Sequence, residues 1–174
     1  MDLRSLQKPL KARYRDDAQT AKITLKAQGS QTDSAIPMSC SVDIGRAIYQ
    51  AEAHTGVGGA GTAACSGDLL LGALAACAQI TCQMVATAMG IPLLGVEVQV
   101  EGDLDLRGTL GIAKDVPVGF GQIRLSFVLN APEASAEQLQ ALQEKTEQYC
   151  VVMQTLTQPP EVQVNWTKPY TTQY

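Results

Sequence analysis

Histidine and tryptophan each occur once in these 174 residues, phenylalanine twice, and no two of the five cysteines stand as CxxC. The lone His54, with cysteines away from ligand spacing, excludes a zinc centre and makes a Cys–His hydrolase a poor fit. Basic charge is also scarce: 13 Lys and Arg against 17 Asp and Glu give a net charge of -4. That excludes the concentrated basic face nucleic acid requires. The run GVGGAG lacks the GK[ST] of a P-loop and the GxGxxG spacing of a dinucleotide fold, which removes a nucleotide module. Charged residues amount to only 17%, a low share that points to extra buried surface, most simply through a homodimer. The opening MDLRSLQKPLKARYRDD has no apolar h-region, so no signal peptide is expected. A cytoplasmic protein, and no framework of structural disulfides, are the corresponding expectations.

The apolar material lies in a few segments. Leu69 to Met89 is the one stretch long enough to suggest a membrane span. Gln79, Thr81, Gln83 and Thr87 interrupt it, and no Lys or Arg cluster flanks it, so a helix buried on nearly all sides is expected instead. Ser66 is its expected cap, with Asp68 in the first turn and Gly90 and Pro92 at its end. Before it, residues 1–21 read as a helical or irregular arm. Ile23–Ala27, Met38–Ile44 and Arg46–Ala53 read as strands, followed by the loop HTGVGGAGTAACSG. After it, Val96–Leu106 and Gln122–Leu129 alternate as strands. A second helix runs from a Ser135/Gln138 capping box to about Thr157, and Val162–Trp166 reads as a last strand. The expected organisation is an N-terminal arm, 1–21, and one domain, 22–174. The order of strands, helix, strands, helix and strand gives an α+β class, an antiparallel sheet on two helices.

Five thiols remain to be placed. Cys77 sits among small residues in the first helix, and Cys150 lies on the apolar stripe of the second. Each reads equally well as an ordinary core cysteine. Packing the two stripes together would let these thiols meet. Cys82, five residues after Cys77, is turned about 140° and raised about 7.5 Å, so it points elsewhere and reads as core. Cys65 and Cys40 gain no catalytic role. A nucleophilic thiol needs a depressed pKa, for which Arg46 and Arg107 are candidate cations, Arg107 reading as a solvated surface residue. Asp68 is about 13.5 Å along the axis from Cys77 and half a turn away. It serves that site only from a second subunit, and otherwise is a helix-start carboxylate.

The stretch GVGGAGTAACSGDLLLGALAACAQIT resembles the central-helix signature of the OsmC/Ohr family: a Gly-rich loop, an acidic residue with Leu, and an Ala/Gly run ending in a cysteine, here Asp68, Leu69 and Cys77. YCVVMQTL, with Cys150, resembles the second signature, and EGDLDLRG and PVGFGQIRLSF also fit. The resemblance spans roughly residues 22–166. It implies an intertwined homodimer and a peroxidase for organic, hydrophobic hydroperoxides. By that resemblance Cys77 is peroxidatic and Cys150 resolving, an external dithiol restores both, and no cofactor is used. Asp68 and Arg46 would complete the site. Asp stands where the family usually has Glu, the Pro before it is missing, and the N-terminal arm is extra, which marks a side branch. The competing expectation is a redox-responsive or small-ligand-binding protein without peroxidase turnover.

Overall fold

The computed structural model describes residues 3–30, 39–45 and 47–167. The N-terminal arm is helix α1 (Leu3–Asp16) and a 3-10 turn, Ala18–Ala21. Strands β1 (Gln28–Ser30), β2 (Ser39–Asp43) and β3 (Ile48–Glu52) form an antiparallel sheet in that order, with Cys40 opposite Ala51. The strand expected at Ile23–Ala27 does not form. Ile23 and Leu25 stand exposed, because an alternating pattern makes a strand only where a sheet edge and a core receive it.

Glu52, at the end of β3, ties the Gly-rich loop to the sheet. Its carboxylate accepts from the backbone N–H of Thr62, from that of Ala63 at 2.9 Å and from the Thr62 hydroxyl at 3.1 Å. Ala51 and Ala64 pair as an isolated parallel bridge. The Ala63 N–H and, more weakly, the Thr62 donors hold the Glu52 carboxyl below its usual range against the opposing effect of burial. A Cβ at Gly59 would collide with the Ala53 carbonyl, so glycine is what lets the loop close on the strand.

Helix α2 (Ser66–Met89) follows directly. Its cap is Cys65 rather than Ser66, and the Asp68 carboxylate accepts the Cys65 N–H at 2.9 Å. Gly90 ends it in the left-handed region, φ 71°, returning its N–H to the Ala86 and Thr87 carbonyls. The helix has length and apolarity enough to cross a membrane. It packs, however, against the later elements β4, α4 and α5. Leu74, Ala78, Cys82, Val85 and Ala86 are buried on one face. The expectation of burial on nearly all sides fails within one chain: Leu70, Ile80 and Met84 are exposed, Ile80 at 55%.

Strands β4 (Gly95–Asp103) and β5 (Gln122–Asn130) form a second antiparallel sheet, Gly95 opposite Asn130 and Asp103 opposite Gln122. The strand expected to reach Leu106 stops at Asp103. Asp105 caps a one-turn helix, α3 (Leu106–Thr109), by accepting the Arg107 N–H. The Ser135/Gln138 capping box forms as expected and opens α4 (Ala136–Tyr149). The second long helix is nevertheless broken. Cys150 is extended, φ -72° and ψ 105°, and a separate helix α5 (Val151–Thr157) begins after it. Residues 161–167 form no strand. Val162, Val164 and Trp166 are exposed, Trp166 at 94%.

The core divides in two along α2. Cys82, Val85 and Ala86 pack with Ile91, Val96 and Leu142. Leu74, Ala78 and Cys150 form the other cluster, with Cys77, Val100, Ile123 and Val152 against it. Burial of Leu74 and Leu142 contributes roughly 1.5–3 kcal/mol each. Antiparallel sheets segregated from helices make this an α+β fold.

Candidate functional site

Two elements distant in sequence bring Cys77 and Cys150 together. Cys77 lies in the fourth turn of α2, flanked by alanines that leave its sulfur approachable. Cys150 occupies the break between α4 and α5 and is fully buried. Both thiols are free; Cys77 packs against the cluster that contains Cys150, and each thiol shifts the other's ionisation. The break creates the contact's chemistry. Because Cys150 leaves helical geometry, the first N–H groups of α5 lack carbonyls one turn back. Those of Val152 and Val151 are among the donors that lower the Cys77 thiol.

The two thiols are unequal. Partial burial alone would push Cys77 up. The Val152 N–H, the Cys150 thiol, the Thr81 hydroxyl and the Val151 N–H outweigh it, and the net shift is downward. Burial pushes Cys150 up; the Met153 N–H opposes this, while donation to Cys77 and the charge there raise it further. The arrangement is a thiolate-prone sulfur receiving a hydrogen bond from a protonated one. Among the described residues hydrogen-bond donors, not cations, produce the downward shift of Cys77.

The other candidates stand elsewhere. Arg46 lies outside the described residues. The Arg107 side chain is 63% exposed and paired with Asp105, the surface role expected of it. Asp68 caps its own helix; the Cys65 N–H, then the Cys65 thiol, hold its carboxyl low against slight burial, with His54 adding a favourable charge. It makes no contact with the Cys77 of its own chain, as the helix spacing requires. Cys82 faces the first core cluster, where burial pushes its thiol up and Thr146 partly offsets that. No group of His, Cys, Asp and Glu suited to a metal occurs among the described residues.

Sequence reasoning missed three contributors. Thr81 is one turn after Cys77, a spacing that signals proximity. The Val151 and Val152 N–H groups carry no such signal, because the helix break is not written in an apolar stripe. A cavity of about 620 Å3 opens between β5 and α4, lined by Phe127, Leu129, Leu139, Leu142 and Met153, with Cys82 in its wall. This cavity lies on the Cys82 side of α2. Neither Cys77 nor Cys150 lines it. Met153 belongs both to it and to the cluster around Cys150.

Comparison with known proteins agrees with this fold. The OsmC-like protein family model matches residues 59–165. An OsmC-like protein from Mycoplasma pneumoniae superposes with a TM-score of 0.66 at 17% identity, covering 79% of this chain and 90% of its own. An organic hydroperoxide resistance protein from Elizabethkingia anophelis gives 0.58 at 20% identity, covering 79% and 91%. Another, from Legionella pneumophila, gives 0.57 at 18% identity, covering 78% and 90%. No curated protein is similar enough in sequence to count as a relative. The family model covers more than half of the chain and the similar structures share its fold, so the chain belongs to the OsmC family.

Proposed function

We propose that the protein is a cysteine-based peroxidase for organic, hydrophobic hydroperoxides. The observation that carries this reading is the asymmetric contact of Cys77 and Cys150, one thiol shifted down and the other up. Family membership and the organic hydroperoxide resistance proteins among the similar structures support it. The Cys77 thiolate attacks the distal oxygen of ROOH. The O–O bond breaks, the alkoxide takes a proton and leaves as ROH, and Cys77 becomes a sulfenic acid. The Cys150 thiol then attacks that sulfur, water leaves, and a Cys77–Cys150 disulfide remains. An external dithiol reduces it by exchange and becomes a disulfide itself.

The working unit is a homodimer. Leu70, Ala73, Ile80 and Met84 recur on α2 at the 3-4 spacing of a helix seam, and all are exposed. Cys77 completes that spacing between Ala73 and Ile80. A second copy along this face covers Cys77 and brings its own Asp68 toward the site. Arg46 is the candidate cation by sequence.

Mixing reduced protein with cumene hydroperoxide and a dithiol tests the reading. Sustained peroxide loss that requires Cys77 is the expected result. One oxidation with no steady state would instead identify a redox-responsive protein.

A further inference from the structure

The break at Cys150 leaves a carbonyl unserved, and one side chain takes over. In an unbroken helix the Val151 N–H would bond the Glu147 carbonyl one turn back. Here the Cys150 N–H still reaches the Thr146 carbonyl at 3.0 Å, and the Gln154 N–H reaches the Cys150 carbonyl at 2.9 Å. Between these two bonds the Val151 N–H does not reach the Glu147 carbonyl, and it is one of the donors that lower the Cys77 thiol. The Glu147 carbonyl accepts instead from the side-chain amide of Gln154, at 2.8 Å. That amide is oriented in turn: its oxygen accepts from the Gln158 side chain at 3.1 Å.

We propose that Gln154 is a positioning residue for the redox pair: by occupying the Glu147 carbonyl, its amide keeps the helix broken at Cys150 and leaves the Val151 N–H free for the Cys77 sulfur. The inference rests on the reading of Cys77 as the reactive thiol. The position demands a donor on a side chain long enough to reach back from the first turn of α5 to the last turn of α4. Methionine has the length without the donor, and asparagine the donor without the length. Without the amide, the Glu147 carbonyl regains a donor most directly by taking back the Val151 N–H. The helix then straightens through Cys150 and the Cys77 sulfur loses a hydrogen bond that favours its thiolate.

The test is alkylation of Cys77 by iodoacetamide across a pH series, read on the Cys77 peptide by mass spectrometry, in full-length wild type, Gln154→Met and Gln154→Asn. Both variants are expected to move the midpoint upward and to slow alkylation near neutral pH by roughly five-fold, with Cys82 unaffected. A lower melting temperature with an unmoved midpoint means that Gln154 only stabilises the helix pair, and overturns the proposal. In wild type, the amide proton resonance of Val151 should titrate at the Cys77 midpoint; a flat response overturns it without any variant. Alkylation needs no peroxide. A midpoint that moves in a protein that consumes no peroxide removes the peroxidase reading and leaves this positioning role standing.

Discussion

Cys77 and Cys82 are the same residue type on the same helix, five positions apart, yet their environments are opposite. Cys82 is buried in the core, its thiol pushed up by desolvation. Cys77 stands half-exposed where α5 begins, its thiol shifted down by the donors that α5 and Cys150 supply. Helix position, residue type and local apolarity do not separate them. What separates them is the element opposite: an intact stretch of α4 beside Cys82, a broken helix beside Cys77. The lowered pKa of the Cys77 thiol is a property of the junction, made where a helix fails to continue.

The comparison is broken most severely by substitution. Cys77→Ser should abolish peroxide consumption, a loss of at least a hundred-fold set by removal of the nucleophile, whereas Cys82→Ser should retain it. Stopped-flow or ferrous-xylenol assays of residual peroxide read the difference. Next in size, Cys150→Ser should leave a Cys77 sulfenic acid that accumulates and can be trapped with dimedone. Wild type should show the disulfide instead.

Alkylation against pH sharpens the contrast. A lowered pKa means thiolate forms at lower pH, so Cys77 should become reactive first. Cys150 and Cys82, both raised, should follow above the ordinary thiol range. Cys82→Ala should cost about 1 kcal/mol of stability through the small cavity it leaves, seen in chemical denaturation, with Cys77 alkylation unchanged. Smallest is Asp68→Ala, which should cost less than about 1 kcal/mol from the α2 cap. Its carboxyl is held low, so the contribution is present above the unfolded-state pKa and is lost as pH falls through the lower folded value. Acid titration of the melting temperature reads this.

Much of the arrangement was legible in the residues. The length of α2, its Gly90 end, the Ser135/Gln138 box and strands β2 to β5 follow from spacing and capping chemistry. The angular separation of Cys77 from Cys82 follows from 3.6 residues per turn. Four readings failed where a local pattern does not encode tertiary context. Ile23–Ala27 and Val162–Trp166 alternate as strands, but pairing is decided by partners, which a local pattern does not encode. The stripe from Leu139 to Leu156 continues in helical register through Cys150, so the pattern that placed Cys150 also concealed the break. That α2 is buried on one face only was equally hidden, because an apolar helix reads alike whether its second face meets its own chain or another.

The most direct measurement is peptide mapping by mass spectrometry of reduced protein treated with cumene hydroperoxide and quenched with an alkylating agent. The account predicts a Cys77–Cys150 linked peptide, lighter by two hydrogens than the sum of its parts, with Cys65 and Cys82 recovered as alkylated thiols. A linkage through Cys82 or Cys65, or Cys77 and Cys150 both recovered as free thiols, would contradict it.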